Sequence, residues 1–143
     1  MKIKVSEATG PALDYLVAKC EGWTWHTGVS SWFGNKPWLE LSLGTQPWVS
    51  GQTFKAVKRL QLWELAYSTD WAQGGPIIER EEIDLCNYTS RRVSKLAALW
   101  LAVKGLHDHK QVGNTPLIAA MRCYVVSKLG EEVEVPDELA TLK

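Results

Sequence analysis

The sequence predicts an α+β protein with one small domain, residues 1–143, built from a tryptophan-rich antiparallel sheet and two main helices. The length suits a single domain, and a hydrophobic fraction of 45% is enough for a core. Two segments have clear helix start and stop signals. Between them, aromatic and aliphatic residues alternate with small polar ones, which is the pattern of strands with one buried face.

The first predicted helix follows a short lead-in strand at residues 1–5. Thr9 can serve as its N-cap, and Pro11 suits the first turn. Gly22 is a natural stop. Asp14 lies next to the apolar stripe, so we expect it at the margin of the core. The stripe has the i, i+3, i+4, i+7 spacing of a buried helix face: Leu13, Leu16, Val17 and Cys20.

The region from residue 23 to residue 66 is predicted to be rich in strands, with turns at Gly28, Gly34-Asn35 and Gly44. The segment "TFKAVKRLQLWEL" within it fits a helix or a strand. Tryptophan is unusually frequent, with eight in the chain. Indole rings fill cores, but they are also favoured at ligand and subunit contacts. We expect a homo-oligomer, most simply a dimer, because a domain of this size can hardly bury eight indoles.

The second half of the chain contains the clearest helix, "PLIAAMRCYVVSKLG". Thr115 is its N-cap, Pro116 stands at the first helical position, and Gly130 is the stop. Apolar residues surround most of this helix, which predicts burial. Before it, "IDLCNY" predicts a strand, "SKLAALWLAV" fits a helix or a buried strand, and "KGLHDHKQVGN" has the composition of a polar loop. The acidic tail, residues 131–143, is expected on the surface.

Charge and cysteine content disfavour several classes of protein. Basic and acidic residues number 16 each, so the net charge is zero and a dedicated nucleic-acid-binding protein is not expected. Two local basic clusters, Lys55-Lys58-Arg59 and Arg91-Arg92, suit an anion pocket or non-specific contact with nucleic acid. Three cysteines without a CxxC pair predict reduced, buried thiols.

The chain shows no signal-peptide pattern and no long apolar run, so we expect a cytoplasmic protein without membrane contact. His107-Asp108-His109 contains metal-ligand residue types, but histidines in a polar loop are usually solvated, and we predict no metal site. No cofactor is expected. No spacing typical of a Ser–His–Asp or Cys–His catalytic set is recognisable, so catalysis is not predicted.

One segment, "YSTDWAQGGPIIERE" at residues 67–81, has the composition of a ligand-binding loop. Ser68 or Thr69, followed by Asp70, can cap a short helical turn at residues 70–73, and Gly74-Gly75 would end that turn. Successive glycines expose backbone N–H groups that can hold an oxyanion. Pro76 would then return the chain to an extended conformation and start a strand. A plain turn between two elements, with its tryptophan in the core, is the structural alternative.

In the functional interpretation, Trp71 offers a stacking face, Gln73 a bidentate amide, and Arg80 a planar fork for phosphate. Arg122 stands inside the apolar helix, where an unpaired charge is costly. It should therefore pair with a buried acid, Asp14 or Asp70, or point into a pocket. The predicted ligand-binding residues are Asp14, Ser68, Thr69, Asp70, Trp71, Gln73, Gly74, Gly75, Arg80 and Arg122.

Three blocks of the sequence resemble the NinX-like family of small phage proteins from the lambdoid nin region. They are "MKIKVSEATGPALDYLVAKCEGW", "STDWAQGGPIIERE" and "TPLIAAMRCYVVSKLGEEVEVP", in the family's order. The chain departs from the family pattern at Glu82, where we expect glycine. The resemblance implies a cytosolic accessory protein of the phage early region with no established enzyme activity.

Together these observations predict a non-enzymatic protein that binds a small, anionic, nucleotide-derived ligand. By analogy with other small phage proteins, it would serve counter-defence by sequestering an ADP-ribose-type or cyclic nucleotide immune signal. The alternative is an early-region accessory protein that acts through protein interaction or nucleic-acid metabolism. A nucleotide-processing enzyme is the interpretation with least support. The expected partners are the nucleotide-like ligand and a second copy of the chain, not a membrane or nucleic acid.

Overall fold

The computed structural model describes residues 1–47, 51–87, 99–105 and 108–140, and it confirms a single small α+β domain. The helices in these residues are α1 (Gly10–Cys20), α2 (Trp71–Arg80), α3 (Pro116–Leu129) and α4 (Asp137–Ala140). The strands are β1 (Lys2–Lys4), β2 (Thr24–His26), β3 (Trp38–Pro47), β4 (Thr53–Leu60), β5 (Asp84–Asn87), β6 (Trp100–Lys104), β7 (His109–Gly113) and β8 (Glu132–Glu134).

Helix α3 forms the centre of the core, as its apolar circumference predicted. The Thr115 hydroxyl caps it by accepting the N–H of Ile118 at 3.1 Å, Pro116 follows the cap, and Gly130 ends it with a φ of 91°. The helix packs against β5, β6 and β7 and against α1 and α2. Its buried residues are Leu117, Ala119, Ala120, Met121, Cys123, Tyr124, Val125 and Val126.

Helix α1 begins and ends where the sequence predicted, with Thr9 at the N-cap position and Gly22 just beyond its end. Leu13, Leu16 and Val17 are fully buried. Asp14 is buried as well, so its predicted place at the margin of the core is wrong. The chain that leads into α2 crosses α1 at this point and covers the carboxylate, which spacing within α1 alone does not reveal.

Within the described residues, the strands form three antiparallel sheets. Strand β7 forms part of a sheet with β5 and β6, although its sequence predicted a polar loop. Pairing with β6 and packing against α3 override the polar composition there. Strand β6 settles the end of the ambiguous "SKLAALWLAV" segment as a strand. Residues 94–98 of that segment lie outside the described residues.

The acidic tail is partly a core element. Strand β8 pairs with β1 in the register Ile3↔Val133. Its glutamates are exposed, but Val133, Val135 and Leu139 are buried. The apolar residues of the tail therefore form part of the core, while its charged residues face solvent.

Strands β2, β3 and β4 form a separate antiparallel sheet, which we call the arm, residues 24–60. Its near end packs on the core through Leu39, which is fully buried. All described side chains from Leu43 to Pro47 are exposed, so the far end of the β3–β4 hairpin extends away from the core. The register shifts between Ser42 and Thr45, which marks a β-bulge in β3. The predicted strand-rich character of this region is confirmed, and "TFKAVKRL" is a strand.

Candidate ligand-binding surfaces

The segment predicted as a ligand-binding loop is a helix. Its N-cap is Asp70, whose carboxylate accepts the N–H of Ala72 at 3.0 Å, and not Ser68 or Thr69 as predicted. The helix does not stop at Gly74-Gly75 but continues through Pro76 to Arg80. Neither glycine has a positive φ, so no anion-binding nest forms there. The predicted strand after Pro76 is wrong, and α2 is a third substantial helix.

Two physical reasons allow a helix through this unfavourable sequence. A residue before proline is kept out of helical geometry partly by its Cβ, and Gly75 has none. A Cβ on Gly74 would lie 2.5 Å from the Tyr67 carbonyl oxygen and 2.6 Å from Leu117 Cδ2. Gly74 thus lets α2 approach both the preceding chain and α3. A Cβ on Gly75 would meet open space.

The end of α2 shows why glycine would suit position 82, where this chain departs from the family pattern with Glu82. The N–H of Ile83 donates to the Ile78 carbonyl, and the N–H of Glu82 to the Glu79 carbonyl, which is a Schellman motif. The motif requires a left-handed residue at its turn, and Glu82 has a φ of 53°. It is the one non-glycine residue with positive φ in the described part of the chain. Glycine would adopt this conformation without steric cost.

Arg80 is bound within the protein. Its guanidinium donates to both carboxylate oxygens of Glu21, at 3.0 and 2.7 Å, and to the Tyr124 hydroxyl at 3.2 Å. Tyr124 also donates to Glu21 at 2.7 Å. The Glu21 carboxylate raises the pKa of Arg80, and burial followed by Glu21 raises that of Tyr124. This network joins α1, α2 and α3. The Arg80 guanidinium, which was predicted to bind phosphate, therefore already has a carboxylate partner.

Arg122 does not pair with Asp14 or Asp70, so that prediction is wrong. Its Nε donates to the Ala8 carbonyl at 3.0 Å and its Nη1 to the Val112 carbonyl at 2.7 Å. Burial lowers its pKa. The guanidinium therefore joins the chain before α1 to the end of β7.

Asp14 instead accepts the backbone N–H of Ser68 at 2.8 Å. Burial raises the pKa of Asp14, and the Ser68 amide and nearby hydroxyl act in the opposite direction. The Ser68 hydroxyl is itself buried, with no hydrogen bond of ordinary geometry to the described residues. Gln73 accepts the N–H of Ala66 at 2.9 Å and so fixes the chain ahead of α2. Most of the predicted site residues thus make contacts within the protein that hold its segments together.

Three predicted residues, Ser68, Thr69 and Trp71, do line a cleft against the first turn of α3. Its volume is about 210 Å³, below the range of roughly 300–1,000 Å³ typical of small-molecule sites. Trp71 is 54% exposed, not in the core. A second cleft of about 550 Å³ is large enough, but Glu81, Glu82 and Asp84 line it together with Lys104 and His109. Its acidic lining disfavours an anionic ligand.

The arm has a different arrangement of aromatic and charged groups. The Arg59 guanidinium lies 4.1 Å from the Trp32 ring centroid, a cation–π contact, and its Nε donates to Glu40 at 2.8 Å. Trp38 stacks on His26 with ring centroids 5.6 Å apart and donates its indole N–H to Glu40. Hydrogen bonds from Trp38 and Arg59 lower the pKa of Glu40. Trp32 is 62% exposed. The high tryptophan content and Arg59 are visible in the sequence, but no spacing in the sequence places Trp32 beside Arg59.

The arm also brings Thr24, His26 and Glu40 together. The Thr24 hydroxyl and the Glu40 carboxylate both lie beside the same ring nitrogen, Nε2 of His26, at 2.9 and 3.3 Å. A catalytic triad needs the hydroxyl and the acid on opposite ring nitrogens. This geometry therefore does not match a triad.

Other predicted features are placed as follows. Within the described ranges, no group of three or more His, Cys, Asp or Glu residues is arranged to hold a metal ion. His107, Trp48 and Arg91-Arg92 lie outside those ranges. Cys123 is buried and Cys20 half-buried, but Cys86 is exposed, contrary to expectation. In the part of the chain that the structure describes, no helix has the length and apolar character needed to cross a membrane.

Fold and surfaces together define a small α+β protein with an aromatic, basic β-hairpin arm. A family model described as "Bacteriophage P22, NinX" matches residues 4–128. The chain therefore belongs to this family of bacteriophage proteins, in agreement with the three sequence blocks. Comparison with curated proteins finds no match.

Proposed function

We propose that this phage protein acts by binding, not by catalysis, and that its ligand is an anionic nucleotide derivative held on the arm. The observation that carries the proposal is the exposed Trp32 ring beside the Arg59 guanidinium, 4.1 Å from the ring centroid. An exposed indole stacks on a base with a gain of roughly 1–3 kcal/mol. The adjacent guanidinium is itself paired with Glu40, and the exposed Lys36, Lys55 and Lys58 of the arm supply positive charge for a phosphate.

The arm is a better candidate than the predicted α2 segment because Trp32 and the lysines of the arm face solvent. Arg80 is held by Glu21, and Arg122 by two backbone carbonyls. Gly74 and Gly75 offer no nest within a continuous helix. The cleft beside Trp71 is too small for a dinucleotide-sized ligand.

The biological role we propose is sequestration of a nucleotide immune signal, of the ADP-ribose or cyclic nucleotide type, in the host cytoplasm. A binding protein without catalysis lowers the free concentration of a signal in proportion to its own amount. Membership of a phage family makes such a role plausible in context, and the arm supplies the chemistry for recognition.

The test is calorimetry and tryptophan fluorescence with linear and cyclic ADP-ribose derivatives, cyclic dinucleotides and neutral nucleosides. Trp32→Ala is compared with Trp71→Ala, since both rings are more than half exposed. We expect charged nucleotides to bind better than nucleosides. Trp32→Ala should weaken their binding about tenfold or more, because a stacking contact is lost. Trp71→Ala should leave binding unchanged.

Three outcomes would contradict the proposal. A complete absence of heat and quenching across the panel removes the small-ligand function. Loss of binding in Trp71→Ala but not in Trp32→Ala moves the site to the cleft beside α2. Recovery of chemically altered ligand after incubation would instead indicate an enzyme.

A second candidate is an accessory protein that acts through protein contact, with a second copy of the chain as the first partner. Of the seven described tryptophans, Trp32, Trp63 and Trp71 are more than half exposed. Within the described residues β4 pairs only with β3, so one edge of this strand is open to a partner. Light scattering at micromolar concentration should then give about twice the 16.0 kDa chain mass. A monomeric mass would refute self-association.

A further inference from the structure

The zero net charge of the chain hides an uneven distribution. The arm carries four of the 16 basic residues and one of the 16 acidic ones, so it has an excess of three positive charges. The rest of the chain has the opposite excess. Glu40 pairs with Arg59. Lys36, Lys55 and Lys58 form no ion pair with any described residue, so they carry the excess. A surface with unpaired lysines beside exposed aromatic rings suits an anionic partner with stackable groups.

Strand alternation divides the basic residues of β4 between two faces. Lys58 stands opposite Leu41 on the face that continues to the buried Leu39 and the core. Lys55 and Arg59 share the other face with Val57, which we call the outer face. Trp32 joins the outer face through its contact with Arg59. A charged, an apolar and a charged side chain therefore follow one another along a solvent-exposed strand.

The length of this row sets the size of its ligand. Glu40 and Trp32 hold the Arg59 guanidinium in place, so it is not free to fold back towards Lys55. Four residues separate the two positions, which is roughly 13 Å at about 3.3 Å per residue. That distance corresponds to roughly four stacked nucleotides at about 3.4 Å each. A mononucleotide on Trp32 would leave Lys55 unused.

We propose that the outer face of the arm binds single-stranded nucleic acid, with a base on Trp32, the backbone along Val57, and a phosphate at Lys55. This inference rests on the proposed nucleotide function and extends its ligand from one nucleotide to a short strand. A single strand fits better than a duplex because its base faces are free to stack. The phosphate contact at Lys55 predicts a weak salt dependence, with a slope of about −0.7 in log K against log salt.

The experiment measures fluorescence quenching of the full chain by thymidylate of one, two, four and eight nucleotides, by an eight-base-pair duplex, and by poly-glutamate. Affinity should rise at least tenfold between one and eight nucleotides, with most of the gain reached by about four. The duplex and poly-glutamate should bind at least tenfold more weakly than the eight-nucleotide strand, because neither offers bases to the indole.

Lys55→Gln and Lys58→Gln form a matched pair of variants, since both lysines are exposed on the same strand but on opposite faces. Lys55→Gln should weaken binding of the eight-nucleotide strand severalfold and reduce the salt slope by about 0.7. Lys58→Gln should change affinity less than twofold. Circular dichroism melting of both variants confirms that each one is folded.

The outcomes separate this inference from the proposed function. Equal affinity for one and eight nucleotides overturns the strand proposal while the small-ligand proposal stands. Equal binding of poly-glutamate or duplex, or equal effects of the two lysine variants, also overturns it, because charge alone would then explain the binding. Failure of both the strand and the ADP-ribose compounds to bind overturns the two proposals together.

Discussion

The α2 segment and the arm contain similar residue types, but the fold uses them differently. Around α2, polar groups bind the protein itself: Asp70 caps the helix, Gln73 holds the preceding chain, and Arg80 pairs with Glu21. In the arm, lysines lack ion-pair partners among the described residues, and Trp32 is largely exposed. Binding chemistry in a sequence therefore becomes a binding site only where the fold leaves it unsatisfied.

This difference separates the expected effects of mutation. Substitutions around α2 should lower the free energy of unfolding, because they remove internal contacts. Trp32→Ala, on the exposed arm, should change it by less than about 1 kcal/mol, the scale of an exposed cation–π contact. The predictions below test the internal role of the α2 side, from the largest effect to the smallest.

The largest effect is expected for Gly74→Ala. The new methyl group would meet the Tyr67 carbonyl oxygen at 2.5 Å and Leu117 Cδ2 at 2.6 Å. Overpacking of this kind costs about 1–3 kcal/mol of unfolding free energy. We expect a loss at the upper end of this range, because the clash is with a backbone atom that cannot easily move. Denaturant unfolding should show the loss. Gly75→Ala is the control, because open space surrounds that position. It should lose less stability than Gly74→Ala, because its methyl group meets no atom and only disfavours helical geometry before Pro76. Equal losses in both variants would contradict the close approach at Gly74.

The next effect concerns Arg122→Ala, which leaves the Ala8 and Val112 carbonyl oxygens without their donor. We expect a loss of about 2 kcal/mol in the free energy of unfolding. Arg122→Lys keeps the charge but cannot reach two diverging carbonyls as a planar guanidinium does, so it should lose about half as much. If nucleotide affinity falls while stability is unchanged, Arg122 belongs to a ligand site after all.

How far sequence reasoning succeeds depends on whether the signal is local. The cap at Thr115 and the stop at Gly130 are local, and each was predicted correctly. The course of α2 was not, because the packing of Gly74 against α3 outweighs the preference of a Gly-Gly-Pro run for a turn. The partners of Arg80 and Arg122 stand up to 114 residues away in the chain. No spacing in one sequence indicates such pairs.

The same limit applies to the candidate surface. The tryptophan cluster and the basic group Lys55-Lys58-Arg59 were visible in the sequence. Their division between two faces of β4 depends on the register with β3, which the structure supplies. The uneven charge of the arm could have been counted from the sequence, but only after the bounds of the arm were known. The net charge of the whole chain does not show the uneven distribution.

A smaller effect, a gain in stability, is expected for Glu82→Gly. Glu82 adopts a φ of 53° at the end of α2, a conformation that costs an L-residue about 1–2 kcal/mol. Glycine removes this cost but is more flexible when unfolded, so a net gain of about 0.5–1 kcal/mol remains. Thermal unfolding measures it. Glu82→Ala keeps the strain and should show no comparable gain; an equal gain would assign the effect to charge.

The smallest effect is expected for Asp14→Asn, as a change in how stability depends on pH. Burial raises the pKa of Asp14 above its unfolded value, so folding favours the protonated carboxyl. The contribution of this carboxyl is therefore fully present below the unfolded pKa, near 4, and is lost as pH rises through the folded pKa. The asparagine side chain of the variant does not titrate. Its oxygen can still accept the Ser68 N–H, and its amide can donate to the buried Ser68 hydroxyl.

The stability of the Asp14→Asn variant relative to the native protein should therefore rise with pH, starting near pH 4 and levelling off above the raised pKa of Asp14. Urea unfolding midpoints at several values between pH 4 and pH 8 give this difference directly. Ser68→Ala keeps the titrating carboxylate and removes the hydroxyl that opposes the raised pKa of Asp14, so the pH dependence of its stability should be at least as large as that of the native protein. Parallel curves for the native protein and Asp14→Asn would show that Asp14 titrates alike in the folded and unfolded states. A ligand that bound through this carboxylate would instead lose affinity in the Asp14→Asn variant at constant stability. That result would return Asp14 to the binding surface and weaken the contrast between α2 and the arm.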